Sequence, residues 1–206
     1  MRVGIVNYGM GNLASVQQAI QSIGHSAEIL NAPDALDQSE RIILPGVGAF
    51  AEGIDRLEAG GWPDAIKRSV GDGTPLLGIC LGMQFLADRG GEGGERAGLG
   101  LIPGEIVSLR TLGCGERVPH VGWNETRACR SDPLFDGLPD TADYYYVHSY
   151  AFRPLDGADL LAVADYGCDL TAAVRRGRIC GTQFHPEKSS KAGLRLLRNF
   201  IELGGC

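Results

Sequence analysis

Two short stretches of the chain carry side chains that could do covalent chemistry together. The first is "GICLG" at 78–82, where Cys80 sits between glycines at the point that an apolar run gives way to a helix-like pattern. Glycines on both sides permit a sharp strand-to-helix turn, which would lift the central side chain above a sheet and set its sulfur at a helix N-terminus. The alternative is a cysteine packed as a small hydrophobe at a strand end. The second stretch is "QFHPE" at 183–187. In an extended segment residues i and i+2 share a side, so Glu187 can hold the His185 imidazole and stabilise its charged form, with Pro186 stiffening the pair. A surface turn after a strand is the alternative here.

A nucleophilic cysteine needs a base, and the chain offers four histidines, at 25, 120, 148 and 185. His25 follows a predicted helix end and reads as a surface residue, whereas Glu187 sets His185 apart. Cys80, His185 and Glu187 thus form a candidate Cys-His-Glu triad for acyl transfer. Such chemistry needs donors for a developing oxyanion. "LPGVG" at 44–48 has glycines that let the backbone aim an N–H at a site. The backbone N–H groups of Val47 and Leu81 are the candidates, with an ordinary glycine turn as the alternative. Gln84 lies one turn beyond Cys80 on the same helix face, and a buried amide there is costly unless bonded, which suggests a substrate contact. "YYYVHSY" at 144–150 is either a plain aromatic strand or a pocket wall offering His148 and Ser149. Gly48, Gln84, His148 and Ser149 make up the substrate-binding candidates.

The elements that must position these residues alternate in type. "RVGIV", "AEIL", "RIILPG" and "PLLGIC" read as short, continuously apolar strands. Between them, "LASVQQAIQSIG" places Leu13, Val16, Ile20 and Ile23 at helical spacing, with Asn12 as cap and Gly24 as stop, and residues 49–70 supply further helix. This β-α-β-β-α-β order predicts an α/β fold with an open, mostly parallel central sheet and helices on both faces. In such sheets, sites gather at the carboxyl ends of the strands, where Cys80 and His185 both fall. The second half adds antiparallel strands at 104–110, 117–125, 143–150 and 159–167, and a hairpin turning at "RRGR". A closing helix from Ser189 or Ser190 turns Leu194, Leu197 and Ile201 to the core. Residues 90–98, "GGEGGERAG", read as a flexible surface connection.

With 206 residues, 44% of them hydrophobic, the chain fits a single domain spanning 1–206. The net charge of -6 gives no electrostatic reason to bind nucleic acid or an anionic membrane. No apolar run is long enough for a membrane span and no signal-peptide pattern opens the chain, so a cytoplasmic protein is expected. The six cysteines, at 80, 114, 129, 168, 180 and 206, show no CxxC pair and no zinc spacing. Neither a disulfide framework nor a metal site is therefore expected, and most of the cysteines read as reduced structural thiols; no cofactor is expected.

Together, G-x-C-x-G-x-Q at 78–84, H-P-E at 185–187 and P-G-x-G at 45–48 resemble the class I (triad) glutamine amidotransferases, a flavodoxin-like fold. "NYGMGNLASV", "GLGLIPGEI", "VPHVGWN" and "QFHPEKS" extend the resemblance along almost the whole chain. They are similar to the branch of glutaminase subunits that serve imidazole glycerol phosphate synthase in histidine biosynthesis. The resemblance implies that Cys80 attacks the carboxamide of glutamine to give a thioester, with His185 moving the protons and Glu187 orienting it. It also implies a (β/α)8-barrel cyclase partner in a heterodimer, to which ammonia is channelled. Asn12, His120, Trp123 and Lys188 are the candidates for the partner-facing surface. The glutaminase of this branch is nearly idle until the cyclase is occupied, and movement of the 45–48 strand is a candidate switch. Other readings are a glutaminase for anthranilate, aminodeoxychorismate or pyridoxal phosphate synthase, a catalytically silent regulatory subunit, and a cysteine hydrolase of a peptide or ester.

Overall fold

A computed structural model of the chain describes residues 1–203. Thirteen strands are β1 (Val3–Val6), β2 (Ala27–Leu30), β3 (Arg41–Gly46), β4 (Leu76–Cys80), β5 (Arg89–Gly90), β6 (Arg96–Ala97), β7 (Gly104–Ser108), β8 (His120–Ala128), β9 (Thr141–His148), β10 (Tyr150–Pro154), β11 (Leu160–Asp165), β12 (Asp169–Arg176) and β13 (Ile179–Thr182). The helices are α1 (Leu13–Ser22), α2 (Phe50–Ala59), α3 (Trp62–Gly71), α4 (Leu81–Gln84) and α5 (Ser190–Glu202).

The large sheet runs β2-β1-β3-β4-β13-β12-β11-β8-β9, and its first five strands are parallel. Of these, β1, β3, β4 and β13 are buried nearly throughout because helices cover both faces, while the edge strand β2 exposes Glu28. Along β3, Ile43 faces the core shared with α1 and α5, while Ile42 and Leu44 face the core shared with α2 and α3. The remaining four strands are antiparallel, and a second sheet, β10-β7-β5-β6, packs beside them.

The Asn12 side chain accepts from the Ser15 N–H at 3.3 Å, which caps α1, and Gly24 lies beyond its end at φ +86°. Three details depart from the sequence reading. The helical run at 49–70 is two helices, because Gly61 takes the left-handed conformation (φ +71°) and interrupts the run before α3. The stretch 90–98 is not a free loop: β5 and β6 pair antiparallel across 89–97 as a hairpin. Glu92 accepts from the Ala51 N–H through its backbone and from the Phe50 N–H through its side chain, supplying partners for donors that the start of α2 leaves open. Cys114 and Cys168 are joined in a disulfide, their Cα atoms 5.1 Å apart although 54 residues separate them in sequence. They meet because the segment after β7 folds onto the β11–β12 turn around a small cluster that includes Leu109 and Leu170, a juxtaposition no local spacing reveals. Cys80, Cys129 and Cys180 are free, and Cys206 lies outside the described residues. Burial pushes the Cys180 thiol up to about 12, as befits an inert structural thiol.

Candidate active site

The elbow forms where β4 passes directly into α4. Cys80 sits at φ 54°, ψ -110°, a conformation costing a residue with a Cβ about 1–3 kcal/mol. The surroundings hold it there. A Cβ on Gly82 would stand 1.7 Å from the Leu44 carbonyl oxygen, and one on Gly78 would stand 2.5 Å from the Gly82 oxygen. Only glycine at both positions lets the turn close against β3.

Register then sets the neighbours. Gly46 of β3 pairs with Cys80, and Thr182 of β13 pairs with Ile79, so the segments following both strands leave the sheet beside the elbow. A cleft of about 250 Å³ opens at this edge. Cys80, Leu81 and Gln84 line it from the elbow and α4, Val47 and Gly48 from the end of β3, and His148 and Ser149 from the end of β9. Gly48 is at φ +110°, a conformation that favours glycine. β9 is the outermost strand of the sheet, four strands from β13, yet the antiparallel half curls so far that the Val147 carbonyl lies 3.8 Å from the Cys80 sulfur. A larger cavity, about 520 Å³, lies around Arg89, Glu105 and Arg153. These side chains are paired with one another, and neither Cys80, His185 nor Glu187 lines that cavity.

His185 follows β13 and is pinned at its backbone. Its N–H donates to the Tyr145 carbonyl at 2.9 Å, and its carbonyl accepts from the Ser189 hydroxyl at 2.6 Å. Ser189 stands at the start of α5, where its hydroxyl also accepts from the Tyr145 N–H at 3.0 Å, so it ties the turn to β9 and does not cap the helix. The imidazole Nδ1 and Glu187 Oε1 are 2.7 Å apart with both side chains 2% exposed. Nε2 is buried and has no hydrogen-bond partner among the described residues. Burial alone would push the imidazole down, but the Cys80 sulfur and the Glu187 carboxylate beside it outweigh burial and raise it to about 10. The arrangement stabilises an imidazolium next to the cysteine, the charge distribution that activates a thiol.

The Gln84 amide nitrogen donates to the Tyr150 carbonyl at 3.0 Å and to Gln183 Oε1 at 3.1 Å. Its two protons are thereby used, and the amide oxygen is the atom that remains for a ligand. His148 Nδ1 faces the Tyr150 carbonyl at 2.9 Å and so carries the proton. Its Nε2 then accepts from His120 Nδ1 at 2.9 Å, which fixes the same tautomer on His120. Burial pushes His148 down to about 3 and His120 down to about 4, so both rings are neutral.

Of the four partner-surface candidates, Asn12, Trp123 and Lys188 are exposed. His120 is not. It is stacked between Tyr146 and Tyr166, with ring centroids 4.7 and 3.9 Å away, and its alternation along β8 turns it inward while Val121 and Trp123 turn out. Glu92, Pro119, Val147 and Tyr150 also line the cleft and were not singled out in the sequence. Val147 and Tyr150 fall within the 144–150 stretch read as a strand or a pocket wall, whereas nothing in the local sequence marks Glu92 or Pro119. Gln183 was legible in principle, as an amide at the end of an apolar strand, where a polar side chain requires a partner.

The glutamine amidotransferase class-I family model matches residues 4–203. The imidazole glycerol phosphate synthase subunit HisH of Moorella thermoacetica is 44% identical over 201 residues, covering 98% of this chain and 94% of that protein. The subunit of the same name from Syntrophotalea carbinolica is 45% identical, covering 97% and 98%. Among solved structures, PurLQS from Thermotoga maritima superimposes with a TM-score of 0.78 at 19% identity, covering 98% of each chain, which is a likeness of fold. The elbow, the cleft and a family match from Gly4 to Leu203 agree: this chain belongs to the class-I glutamine amidotransferases.

Proposed function

We propose that this chain, acting as one domain over residues 1–206, is the glutaminase subunit of an imidazole glycerol phosphate synthase. The reading is supported by near full-length identity of about 45% to proteins of that name. The observation that carries the chemistry is a cysteine at a strained elbow, beside a buried His-Glu pair, in a cleft containing a fixed carboxamide.

The Cys80 sulfur, as thiolate, attacks the side-chain carbonyl carbon of glutamine. The backbone N–H groups of Val47 and Leu81 receive the oxyanion. As the tetrahedral intermediate collapses, the C–N bond breaks, the imidazolium of His185 gives its proton to the leaving nitrogen, and ammonia departs. His185 then takes a proton from water, which attacks the thioester and releases glutamate and the thiolate. Glu187 keeps the imidazole in one orientation throughout. Gln84, with Gly48 and the backbone of His148 and Ser149, holds the substrate in the cleft that Glu92 also lines.

Ammonia passes to a (β/α)8-barrel cyclase subunit that makes imidazole glycerol phosphate and aminoimidazole carboxamide ribonucleotide in histidine biosynthesis, in the cytoplasm. Val121, Trp123 and Val147 expose apolar surface on the outward side of β8 and β9, and the Lys188 ammonium lies 5.7 Å over the Tyr145 ring at the same face. With Asn12, this is the proposed docking face, and rearrangement at 45–48 on docking is the proposed switch. The test is glutamate release by this chain with and without the cyclase subunit and its nucleotide. Release that rises with the cyclase, while Cys80→Ala leaves only ammonium-dependent cyclase turnover, is expected. Glutamine-dependent turnover surviving Cys80→Ala would overturn the reading.

A further inference from the structure

The Cys80 sulfur has a neighbour outside the triad. Gln183, one residue past β13 and fully buried, has its amide nitrogen 3.8 Å from the sulfur. The orientation of that amide is determined by its surroundings. The Tyr150 carbonyl can only accept, so the group that Gln84 presents to it is its NH₂. The same nitrogen lies 3.1 Å from Gln183, which must therefore offer its oxygen to Gln84 and its NH₂ to the sulfur. An unbroken run of donors and acceptors thus leads from the Tyr150 carbonyl through two amides to the nucleophile.

We propose that Gln183 is a positioning residue for the nucleophile, donating an N–H to the Cys80 thiolate and coupling it to the amide that faces the substrate. A donor aimed at sulfur favours the anion, whereas the Val147 carbonyl on the opposite contact accepts from the S–H and favours the neutral thiol. The remaining groups around the sulfur fall into two kinds. His185, backed by Glu187, supplies positive charge from the turn after β13. Tyr8, following β1, stays a neutral phenol because burial and the nearby sulfur both push it up. His148 is neutral on β9, and Glu92 brings the cleft its carboxylate. Among these, Gln183 is the polar side chain that touches both the sulfur and Gln84. Any ligand that draws on the Gln84 oxygen polarises the shared amides and strengthens the N–H at the sulfur.

This inference rests on Cys80 being the nucleophile, and its test is read without glutamine. The full chain, in a Cys129→Ser background to remove the exposed thiol, is treated with iodoacetamide across a pH series, and alkylation of the Cys80 peptide is followed by mass spectrometry. Gln183→Met keeps the side-chain length and removes the donor. It is expected to move the midpoint of the alkylation profile upward by about one pH unit, a roughly tenfold slower reaction on the acid limb, with an unchanged plateau at high pH. Gln84→Met leaves Gln183 in place but frees its amide to turn, and is expected to move the midpoint in the same direction by less. If the midpoints of both variants coincide with the parent's, or only the plateau falls, Gln183 serves packing alone and the proposal is overturned. A shifted midpoint in a chain that releases no glutamate with its cyclase would instead sink the glutaminase reading and leave the contact standing.

Discussion

His185 Nδ1 and Glu187 Oε1 meet at 2.7 Å with both side chains buried, while the other ring nitrogen has no hydrogen-bond partner among the described residues. One carboxylate oxygen therefore orients the ring and stabilises its charge, and in the proposed mechanism the other nitrogen serves the sulfur and the leaving group. Glu187→Gln keeps the shape and removes the charge, leaving only a neutral amide to face the ring. Glutamine hydrolysis in the complex should fall about 10²–10⁴-fold, with ammonium-dependent turnover retained. A loss below threefold in steady-state glutamate release would show that the carboxylate is dispensable.

The histidines give stability a pH dependence of opposite signs. His185 is raised in the folded state, so its contribution is complete below about pH 6.5 and is lost as pH climbs towards 10. His120 and His148 are lowered by burial, so theirs is complete above about pH 6.5 and is lost as pH falls towards 4 and 3. Protonating His148 would also set two N–H groups against each other across the 2.9 Å contact with His120. Calorimetric melting should show His148→Gln with a flatter acid limb and Glu187→Gln with a flatter alkaline limb than the parent. Parallel profiles for all three chains would contradict this assignment.

Strain at the elbow reverses a familiar ranking. Glycine is normally less stabilising than alanine. At Cys80, whose φ is positive, Cys80→Gly should be more stable than Cys80→Ala by about 1 kcal/mol in urea unfolding. Alanine proving the more stable would mean that the turn relaxes at no cost.

Two glycines should respond in opposite ways to the same change. Gly82→Ala forces a Cβ to within 1.7 Å of a backbone oxygen that has no room to move, and is expected to prevent folding or cost more than about 4 kcal/mol. At Gly71, the last residue of α3, a Cβ meets nothing within 4 Å, so Gly71→Ala should be neutral or up to about 1 kcal/mol stabilising. Chemical denaturation of the two variants separates the cases.

Much of this was legible in the residues themselves. Continuous apolar strands implied a sheet covered on both faces, because a strand buried on both sides has no polar alternation to show. The G-x-C-x-G pattern implied the elbow, because few other residues tolerate the contacts that its glycines make. What stayed hidden depended on side chains far apart in sequence. His120 alternates inward only because β8 pairs with β9 in one register, and Cys114 reaches Cys168 only because two loops share a small core.

The sequence alone determined the chemistry on offer: a thiol, an imidazole and a carboxylate, each in a local setting whose backbone limits are written in adjacent glycines and a proline. Only the tertiary structure decided which groups surround the sulfur. Parallel pairing of β4 with β13 carries Gln183 and His185 to Cys80, and the curl of the antiparallel half returns Val147, His148 and Tyr150 from the far edge of the sheet. Sequence spacing encodes local geometry, whereas strand order and sheet curvature are settled by the packing of the whole core.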